Sequence, residues 1–279
     1  MDERLGRCVS FFLEMEARQA EKSVRTEHGI VHLSPTLPRV WDRNFLSVDI
    51  GAEATAAQLA AEADAVQGPA GLRHRKVAVP DSLGGRLVPE FRELGWKVEE
   101  LLVMLHGGDE ATEAADTAEL AAETLAPVWA RGIAEHDHDE ETVRQLVAAQ
   151  LERREAVDVR YFAVQAGEAV AAYCELFSRG DIGQIESVMT LKEFRGRGFG
   201  KAVVARALAE SKAAAHGLTF LLADAEDWPK ELYRKLGFEE IGRVWDFTRE
   251  PSSGAGAPSG DVAGGHCLEG ANGPSSAQR

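Results

Sequence analysis

Residues 184–236 constrain the fold most, because an apolar segment, a basic glycine-rich turn and a helical pattern follow one another directly. Ile185–Leu191 is predicted to be a strand, the turn is Arg195–Gly200, and apolar residues recur at helical spacing over Lys201–Ala209. Glycines let the backbone approach a ligand closely, and the first amides of a helix present the positive end of its dipole. The stretch therefore predicts a strand–turn–helix unit that holds a phosphate or pyrophosphate.

The glycine spacing separates three kinds of phosphate-binding loop. Gly196, Gly198 and Gly200 give G-x-G-x-G, which does not meet the dinucleotide fingerprint G-x-G-x-x-G. A nucleotide-triphosphate loop needs glycine and Ser or Thr where this chain has Arg195 and Ala202. The pattern R-x-x-G-x-G remains. Alone, so short a motif also fits a plain strand-to-helix turn.

A second segment makes the pattern specific. Leu218–Asp224 is an apolar run that predicts a strand, Trp228–Pro229 breaks it, and Leu232–Phe238 reads L-Y-x-K-L-G-F. The two motifs, in this order and at this separation, resemble the GNAT superfamily of acyl-CoA N-acyltransferases over roughly Ala111–Arg249. The resemblance implies an α/β (α+β) fold with a mixed, mostly antiparallel sheet flanked by helices. It also implies acetyl-CoA as the cofactor.

The N-terminal half carries a weaker version of the same pattern. Phe91–Trp96 aligns with Tyr233–Phe238 at an offset of 142 residues, which brings Phe91 onto Tyr233. This alignment predicts a degenerate GNAT-like copy. We expect it to be chemically silent, because Phe91 lacks the hydroxyl and no R-x-x-G-x-G precedes the helix predicted at Ala52–Val66. An unrelated α/β lobe is the alternative.

Four segments follow from these patterns: a degenerate N-terminal domain (1–108), an acidic linker (109–116), a catalytic domain (117–250) and a tail (251–279). The tail is rich in Ser, Gly, Pro and Ala, and its composition predicts disorder. The other predicted helices span residues 1–22, 87–94, 117–133 and 140–151. The other predicted strands span residues 29–33, 41–50, 76–79, 98–105, 160–164 and 169–177.

Composition excludes several classes of protein. Of the 279 residues, 44% are hydrophobic, which is enough for a packed core, and no apolar run approaches the ~18 residues of a membrane span. The acidic start is not the basic opening of a signal peptide. Cys8, Cys174 and Cys267 are too few and too separated for a disulfide framework or a thiolate metal site. We therefore expect a cytoplasmic protein without membrane contact.

Histidines offer little chemistry. His136 and His138 alternate with acids but have no further ligand cluster, so no metal site is predicted. His74, His216 and His266 are expected on the surface or in the tail.

The net charge of −15 disfavours nucleic acid as a partner, because phosphates would be repelled. Between Asp109 and Glu141, eleven carboxylates accompany one basic residue, Arg131. They fit either a solvated linker with helix surfaces or an acidic rim that attracts a cationic amine. A small-molecule or protein amine is the expected partner, and both a monomer and a homodimer are compatible with the sequence.

The resemblance implies which residues hold coenzyme A. Main-chain groups of one strand segment would pair with the pantetheine arm as a pseudo-strand; they belong to Val188, Met189 and Thr190. Loop residues would surround the diphosphate, largely through backbone N–H groups; they are Arg195, Arg197, Gly198, Phe199, Gly200 and Lys201. Solvated charge is the alternative role for the two arginines. Glu226 stands where many relatives have a cofactor-contacting asparagine, and Pro229 replaces a small alanine, so this contact stays open.

Two side chains are candidates for the chemistry. Tyr233 corresponds to a tyrosine that often protonates the departing thiolate in GNAT enzymes, and its alternative role is a packing aromatic. Glu186 corresponds to a carboxylate that often removes the proton of the amine, directly or through water. A helix-capping or salt-bridged glutamate is the alternative, and Asp181 and Asp224 are weaker candidates for the base.

The sequence therefore predicts an N-acetyltransferase in which a neutral amine attacks the thioester directly in a ternary complex. No cysteine neighbours the motif in the sequence to argue for an acyl-enzyme. A non-catalytic acyl-CoA sensor or scaffold would keep the loop without needing Tyr233 or Glu186. A nucleotide-binding regulator is a third, weaker alternative.

Overall fold

The computed structural model describes residues 2–108, 117–136 and 138–251, apart from the side chains of residues 81 and 82. The predicted acidic linker and, beyond residue 251, the predicted tail lie outside the described residues. Within those ranges, eleven strands form one hydrogen-bonded sheet with helices on both faces. The predicted mixed, mostly antiparallel sheet is confirmed.

The helices and strands follow one another in two series. The first half contains α1 (Glu3–Arg18), β1 (Lys22–Arg25), β2 (Gly29–Leu33), β3 (Phe45–Val48), α2 (Ala56–Gln67), β4 (Arg75–Pro80), α3 (Asp81–Glu93) and β5 (Lys97–His106). The second half contains β6 (Ala118–Leu120), α4 (Ala122–Ala134), α5 (Glu140–Ala156), β7 (Val159–Ala166), β8 (Ala169–Arg179), β9 (Ile182–Thr190), α6 (Phe199–Ala213), β10 (Leu218–Asp224), α7 (Pro229–Lys235) and β11 (Phe238–Arg249). From α5 onward, the second series repeats the element order of the first.

The two halves exchange their last strands. The sheet order is β1-β2-β3-β4-β11-β5-β10-β9-β8-β7-β6. Strand β5 pairs antiparallel with β10, and β11 pairs antiparallel with β4, so each final strand lies against the penultimate strand of the other half. The two exchanged strands also pair with each other. The proposed division at 109–116 therefore separates two parts of the chain but not two sheets.

The side chains of the central strands point alternately to the two faces of the sheet and so contribute to two cores. On β5, Leu101, Val103 and Leu105 pack with α1, whereas Leu102 and Met104 pack with α6 and α7. Successive side chains of a strand point to opposite faces, so an unbroken apolar run indicates a strand that is covered on both sides. Helices α4 and α5 cover the α1 face further along the sheet, over β7, β8 and β9. The sheet is thus a central layer between two helical layers.

The predicted strand at 41–50 is wrong in its first part. Trp41–Arg43 forms a 3-10 turn, and only Phe45–Val48 is a strand. The buried side-chain amide of Asn44 donates to the carbonyls of Leu37 and Val40 at 2.9 and 2.8 Å. Such local side-chain bonds favour a turn over a sheet ladder, and apolar spacing does not reveal them.

The predicted helix at 117–133 is also wrong at its start. Ala118–Leu120 is an edge strand paired with β7, and α4 begins at Ala122. Three residues are too few for periodicity to separate a strand from a helix. Strand β1 was not predicted, because all four of its residues are exposed and give no apolar signal.

Two helix starts in the first half differ from the prediction. Helix α2 begins at Ala56, because Thr55 forms a capping box there. Helix α3 begins at Asp81 instead of residue 87, although it contains adjacent glycines. One of them, Gly84, lies so close to β11 that a Cβ atom would stand 2.5 Å from Cε3 of Trp245. Close packing of α3 on the sheet therefore requires glycine at this position, and glycine makes the helix harder to predict from the sequence.

His74 is buried, which corrects its expected place on the surface. It is 1% exposed, its ring stacks on Trp41 with centroids 4.8 Å apart, and its Nε2 shares a hydrogen bond with the carbonyl of Asn44 at 3.1 Å. Burial lowers the pKa of His74 to about 3. The histidine is a neutral core residue that ties the 3-10 turn to β4. His266 lies outside the described residues.

A further observation concerns the length of the helices. Among the described residues, none of the helices combines the length and the apolar character that crossing a bilayer would require.

Replacing Phe91 by alanine tests the strand exchange. Phe91 of α3 is fully buried and stacks on Phe247 of β11 with ring centroids 4.0 Å apart. We expect Phe91→Ala to lower the free energy of unfolding by about 3–5 kcal/mol, since a large cavity opens between the halves. Urea unfolding followed by circular dichroism measures it. The control Leu94→Ala, at a side chain 47% exposed, should change stability by less than about 0.5 kcal/mol. Equal effects of the two variants would contradict the exchanged packing.

Candidate functional site

The sheet opens between β9 and β10. Their parallel pairing runs from Ile182 and Leu218 to Ile185 and Leu221, and in the described part of the chain it extends no further. Beyond that point, β9 stays paired with β8, and β10 stays paired with β5. The main chain of β9 after Ile185 therefore faces a gap and not a neighbouring strand. An extended ligand can pair with such an edge as an added strand.

A bulge in β9 produces this divergence. Tyr173 pairs with Met189 and Glu175 pairs with Glu186, so two residues of β9 stand opposite one of β8. One of the two, Ser187, has a φ of +52°, a left-handed conformation that is rare outside glycine. A bulge bends its strand and increases the local twist, which turns the end of β9 away from β10.

The predicted glycine loop connects the end of β9 to α6. Gly196 and Gly198 have φ values of +74° and +80°, and a Cβ atom at either position would meet no atom within 4 Å. Backbone conformation, and not space, is what requires glycine here. Gly198 is the N-cap of α6, and the first amide of the helix that bonds back belongs to Ala202, at 3.1 Å from the Gly198 carbonyl. Helix geometry leaves the preceding amides, 199–201, directed outward.

The basic residues of this loop have different roles. Arg195 is partly buried; its Nε donates to the carbonyl of Thr190 at 3.1 Å, and its guanidinium lies 3.4 Å from the Glu135 carboxylate. Arg195 therefore fastens the loop to the end of β9. Arg197 is exposed above the Phe194 ring, with 5.6 Å from its Cζ to the ring centroid. Lys201 is exposed in the first turn of α6. These last two side chains give the helix N-terminus its positive charge.

The predicted pantetheine segment forms one side of the gap. Val188 packs on the α6 face and Met189 on the α4 face, so their side chains are buried on either side of the sheet. The Thr190 carbonyl already accepts from Arg195, and the buried Thr190 Oγ1 has no hydrogen-bond partner among the residues that the structure describes. The segment thus offers main-chain groups at its edge and one unsatisfied hydroxyl.

Tyr233 lies on the α6 face of the sheet. It is 1% exposed and belongs to the apolar cluster that contains Val188, Ala202 and Ala223. Those residues come from the bulged strand, the first turn of α6 and the end of β10. The structure therefore brings helix α7, the glycine loop and the gap together on one face of the sheet. Its ring also makes an edge contact with Phe238, with centroids 6.1 Å apart.

Glu186 lies on the opposite face, toward α1 and α5. It is 6% exposed, and the side-chain amide of Gln184 donates to its Oε1. Burial raises the pKa of Glu186 well above its usual range, the Glu16 carboxyl adds to this effect, and Arg153 opposes it. The glutamate caps no helix, because it stands inside β9. A buried carboxyl with a raised pKa binds a proton more strongly than an exposed glutamate does, which favours a role as general base.

The other candidate acids are not gathered at this point. Asp181 is exposed before β9 and pairs with Arg7 at 2.6 Å, at the end of the strand away from the bulge. Asp224 ends β10, and its Oδ1 accepts from the backbone amide of Glu226 at 2.7 Å. The Glu226 side chain is exposed in the loop that leads to α7.

Sequence reasoning missed a buried ion pair beside Glu186. Arg153 of α5 donates to the carboxylate of Glu175, which is completely buried on β8. Glu175 stands alone among apolar residues of a predicted strand, and a lone acid in such a run signals a buried charge that needs a partner. Arg153 lies in a charged helical segment that gives no comparable signal.

A cysteine lies close to the gap, although the sequence places none near the glycine motif. Cys174 stands opposite the bulge of β9, is fully buried in the same cluster as Tyr233, and its thiol donates to the carbonyl of Val203 at 3.3 Å. Burial raises the pKa of this thiol well above its ordinary value. A neutral, hydrogen-bonded thiol is a poor nucleophile.

The corresponding helix start in the first half is filled by the protein itself. The Glu90 carboxylate accepts from the first amide of α2, that of Ala56, at 3.0 Å. The Thr55 hydroxyl accepts from the amide of Gln58 at 3.3 Å. A helix start whose amides already bind a carboxylate and a hydroxyl has little capacity left for a phosphate. This occupancy supports the proposal of a silent first copy.

One group of side chains has metal-like spacing in the described part of the chain. Ligand atoms of Glu27, His28 and Glu62 lie within 4.8 Å of one another. His28 Nδ1 is bonded to the Glu62 carboxylate, and the His28 backbone amide donates to it at 3.2 Å. The cluster therefore contains a hydrogen-bonded His28–Glu62 pair, and it lies in the first half and not at the gap.

The raised pKa of Glu186 has a measurable effect on stability. The protonated carboxyl contributes stability that is fully present below the unfolded pKa of 4.5 and is lost as pH rises through the folded value. We therefore expect Glu186→Gln to become more stable relative to the unaltered protein between pH 4.5 and pH 8. The gain is about 1.4 kcal/mol for each unit of pKa shift. Urea unfolding at both pH values measures it.

Glu168→Gln is the control, at an exposed position of the β7–β8 turn. It should give the same small difference at both pH values. A pH-independent effect of Glu186→Gln would contradict a buried carboxyl of raised pKa.

Known proteins resemble the chain in sequence and in fold. Residues 163–246 match the family model of the FR47-like proteins, a GNAT-related family. No curated protein matches the chain in sequence. The structure of a functionally unknown conserved protein from Staphylococcus epidermidis superposes with a TM-score of 0.67 at 14% identity, covering 83% of this chain and 94% of that one.

Two further structures carry GNAT names. A GCN5-related N-acetyltransferase from Kribbella flavida has a TM-score of 0.58 at 16% identity, covering 91% of this chain and 97% of that one. A tandem GNAT protein from the clavulanic acid biosynthesis pathway has a TM-score of 0.53 at 14% identity, covering 89% and 96%. At these identities the similarity establishes the fold. The chain therefore has the fold of the GNAT N-acetyltransferases across both of its halves, and the segment with the gap and the glycine loop matches the FR47-like family.

Proposed function

We propose that the protein is an N-acetyltransferase that moves the acetyl group of acetyl-CoA to a primary amine of a small molecule or protein. One observation carries the proposal: the gap between β9 and β10 continues into a helix start whose amides are directed outward. An extended chain with an anionic end fits this shape, because the edge of β9 pairs with amides and the helix binds a diphosphate. Coenzyme A has both parts.

The residues around the gap fit this ligand. Amides 199–201 and the exposed cations Arg197 and Lys201 bind the diphosphate. The edge of Val188–Thr190 pairs with the pantetheine arm, and Thr190 Oγ1 gains a partner there. Arg195 holds the loop against β9 and contributes to binding through position. Glu226 remains a candidate contact from the loop before α7.

The reaction needs a proton acceptor and a proton donor on either side of the gap. Bound acetyl-CoA supplies the activated acyl group. Glu186 removes a proton from the ammonium of the acceptor, so that a neutral amine can attack. The new N–C bond forms as the C–S bond breaks, and the nitrogen then releases its second proton to solvent to become the amide. Tyr233 donates its phenolic proton to the departing sulfur. Direct attack agrees with Cys174, whose buried thiol is a weak nucleophile.

The position of Glu186 determines the pH dependence. Because burial raises its pKa, the ionised fraction of Glu186, and hence the rate, increases with pH above the range in which an ordinary glutamate titrates. The first half has its helix start occupied by Glu90 and Thr55, so we propose one acetyl-CoA site in the described part of the chain, that of the second half.

Charge reversal at the start of α6 tests cofactor binding. Lys201→Glu places a carboxylate at the proposed diphosphate site, and we expect the Kd for coenzyme A to rise about tenfold or more. The matched control Lys212→Glu makes the same change in the last turn of the same helix, also at an exposed residue. Its Kd should stay within about twofold, since the charge effect falls off beyond the first turn. Isothermal titration calorimetry measures both, and equal Kd values would exclude the loop as the binding site.

Removing the hydroxyl of Tyr233 tests the chemistry. We expect Tyr233→Phe to lower kcat by about 10²–10⁴-fold over a panel of amines, because the departing thiolate loses its proton donor. The Kd for coenzyme A should be unchanged, since the aromatic ring keeps its packing. Thiol release from acetyl-CoA measures kcat.

Tight coenzyme A binding without turnover of any amine would instead support an acyl-CoA sensor or scaffold. Stronger binding of ATP than of coenzyme A would support a nucleotide-binding regulator. Unchanged kcat in Tyr233→Phe, with turnover present, would remove the tyrosine from the mechanism alone.

A further inference from the structure

Arg153 connects three parts of the chain at one buried point. Its side chain is 12% exposed, and its Nε donates to Oε1 of Gln19, the C-cap of α1, at 3.0 Å. Its Nη1 donates to the Glu175 carboxylate and lies 3.4 Å from the Ser187 hydroxyl. The guanidinium thus joins the N-terminal helix, a buried acid on β8 and the bulge of β9.

The contact with Ser187 falls where β9 departs from regular geometry. A non-glycine residue at φ +52° is strained and persists only when its surroundings hold it. Arg153 bonds the side chain of this residue, which is the immediate neighbour of Glu186. The guanidinium therefore helps to hold the bulge that opens the sheet.

The contact with Glu175 concerns the charge at Glu186. Glu175 and Glu186 are direct cross-strand partners, and like charges in that position repel each other. The groups that face Glu186 are Glu16 from α1, Arg153 from α5, Glu175 from β8 and Gln184 from β9 itself. Among these, Arg153 is the cation, and Glu16 and Glu175 are two carboxyl groups that face the carboxyl of Glu186.

We propose that Arg153 is a positioning residue for Glu186, and that Gln19 of the N-terminal helix orients it. Arg153 stabilises the ionised form of Glu186 and holds the bulged strand that carries it. The first half, although its own helix start is filled, thereby completes the site of the second half. This inference rests on the proposed role of Glu186 as the base.

The test follows the proton affinity of Glu186 directly. Protein labelled with ¹³C at the glutamate carboxyl carbons is titrated by NMR, and the Glu186 signal is assigned by its absence in Glu186→Gln. The pH profile of kcat is measured in parallel. The variants are Arg153→Met, Arg153→Lys and Gln19→Leu. Arg43→Met is the matched control, because Arg43 is a buried arginine on the same face that bonds to Glu152 at 2.9 Å and to the Ala149 carbonyl.

Arg153→Met should move the Glu186 titration up by about 1–3 pH units, since the positive charge of the facing guanidinium is lost. The acidic limb of the kcat profile should move with it, which lowers kcat about tenfold per unit at a fixed pH below the pKa. Arg153→Lys keeps the charge and should titrate near the unaltered protein. Gln19→Leu should shift the titration in the same direction as Arg153→Met by a smaller amount. Arg43→Met should lower the Tm without moving the titration.

An unmoved titration in Arg153→Met or Gln19→Leu would overturn the inference, as would an equal shift in Arg43→Met. If Arg153→Met does not fold, the other two variants still test the inference. Loss of the acidic limb of the kcat profile in Arg153→Lys, or an unshifted Glu186 titration in Gln19→Leu, would contradict the inference. Failure of the proposed function looks different, because then the unaltered protein acylates no amine while the NMR titration can still be read.

Discussion

The interruption of pairing between β9 and β10 is the constraint on which the site depends. Inside a sheet, the main-chain N–H and C=O groups of each strand bond to its neighbours, so a gap between two strands leaves groups that need a partner. The bulge at Ser187 creates the gap, and the Gly198 cap places a helix start at its end. The proposed acyl carrier supplies both missing partners, as an added strand and as an anion.

Burial gives the two faces of the gap different chemistry. On the α6 face, Tyr233 and Cys174 lie among apolar side chains, which keep the thiol neutral. On the α1 face, Glu186 is packed with other carboxyls and one arginine, so its proton affinity reflects burial and neighbouring charge together. Strand β9 separates the two environments, and its main-chain groups line the gap between them.

Much of the second half could be predicted, because its signals are local. The glycine loop, the strand before it and helix α7 each correspond to a contiguous pattern of residues. The structure places Tyr233, Val188 and residues of α6 in one apolar cluster. Long-range relations could not be predicted in this way. The ion pair of Arg153 with Glu175 joins residues 22 apart in sequence, and the pairing of β11 with β4 joins strands about 170 residues apart. The periodicity of apolar residues carries no information about either contact. His74 was misjudged for the same reason, since only tertiary stacking on Trp41 buries it.

The exchange of β5 and β11 has a consequence for the order in which the molecule can assemble. During synthesis, β4 and β5 emerge long before the strand that fills the space between them, so the first half presents two open edges until residues 238–249 arrive. Open edges invite pairing with other chains. Completion of the nascent sheet therefore waits for the last strand, and a truncated chain lacking it is expected to associate with its neighbours instead of remaining a stable fragment.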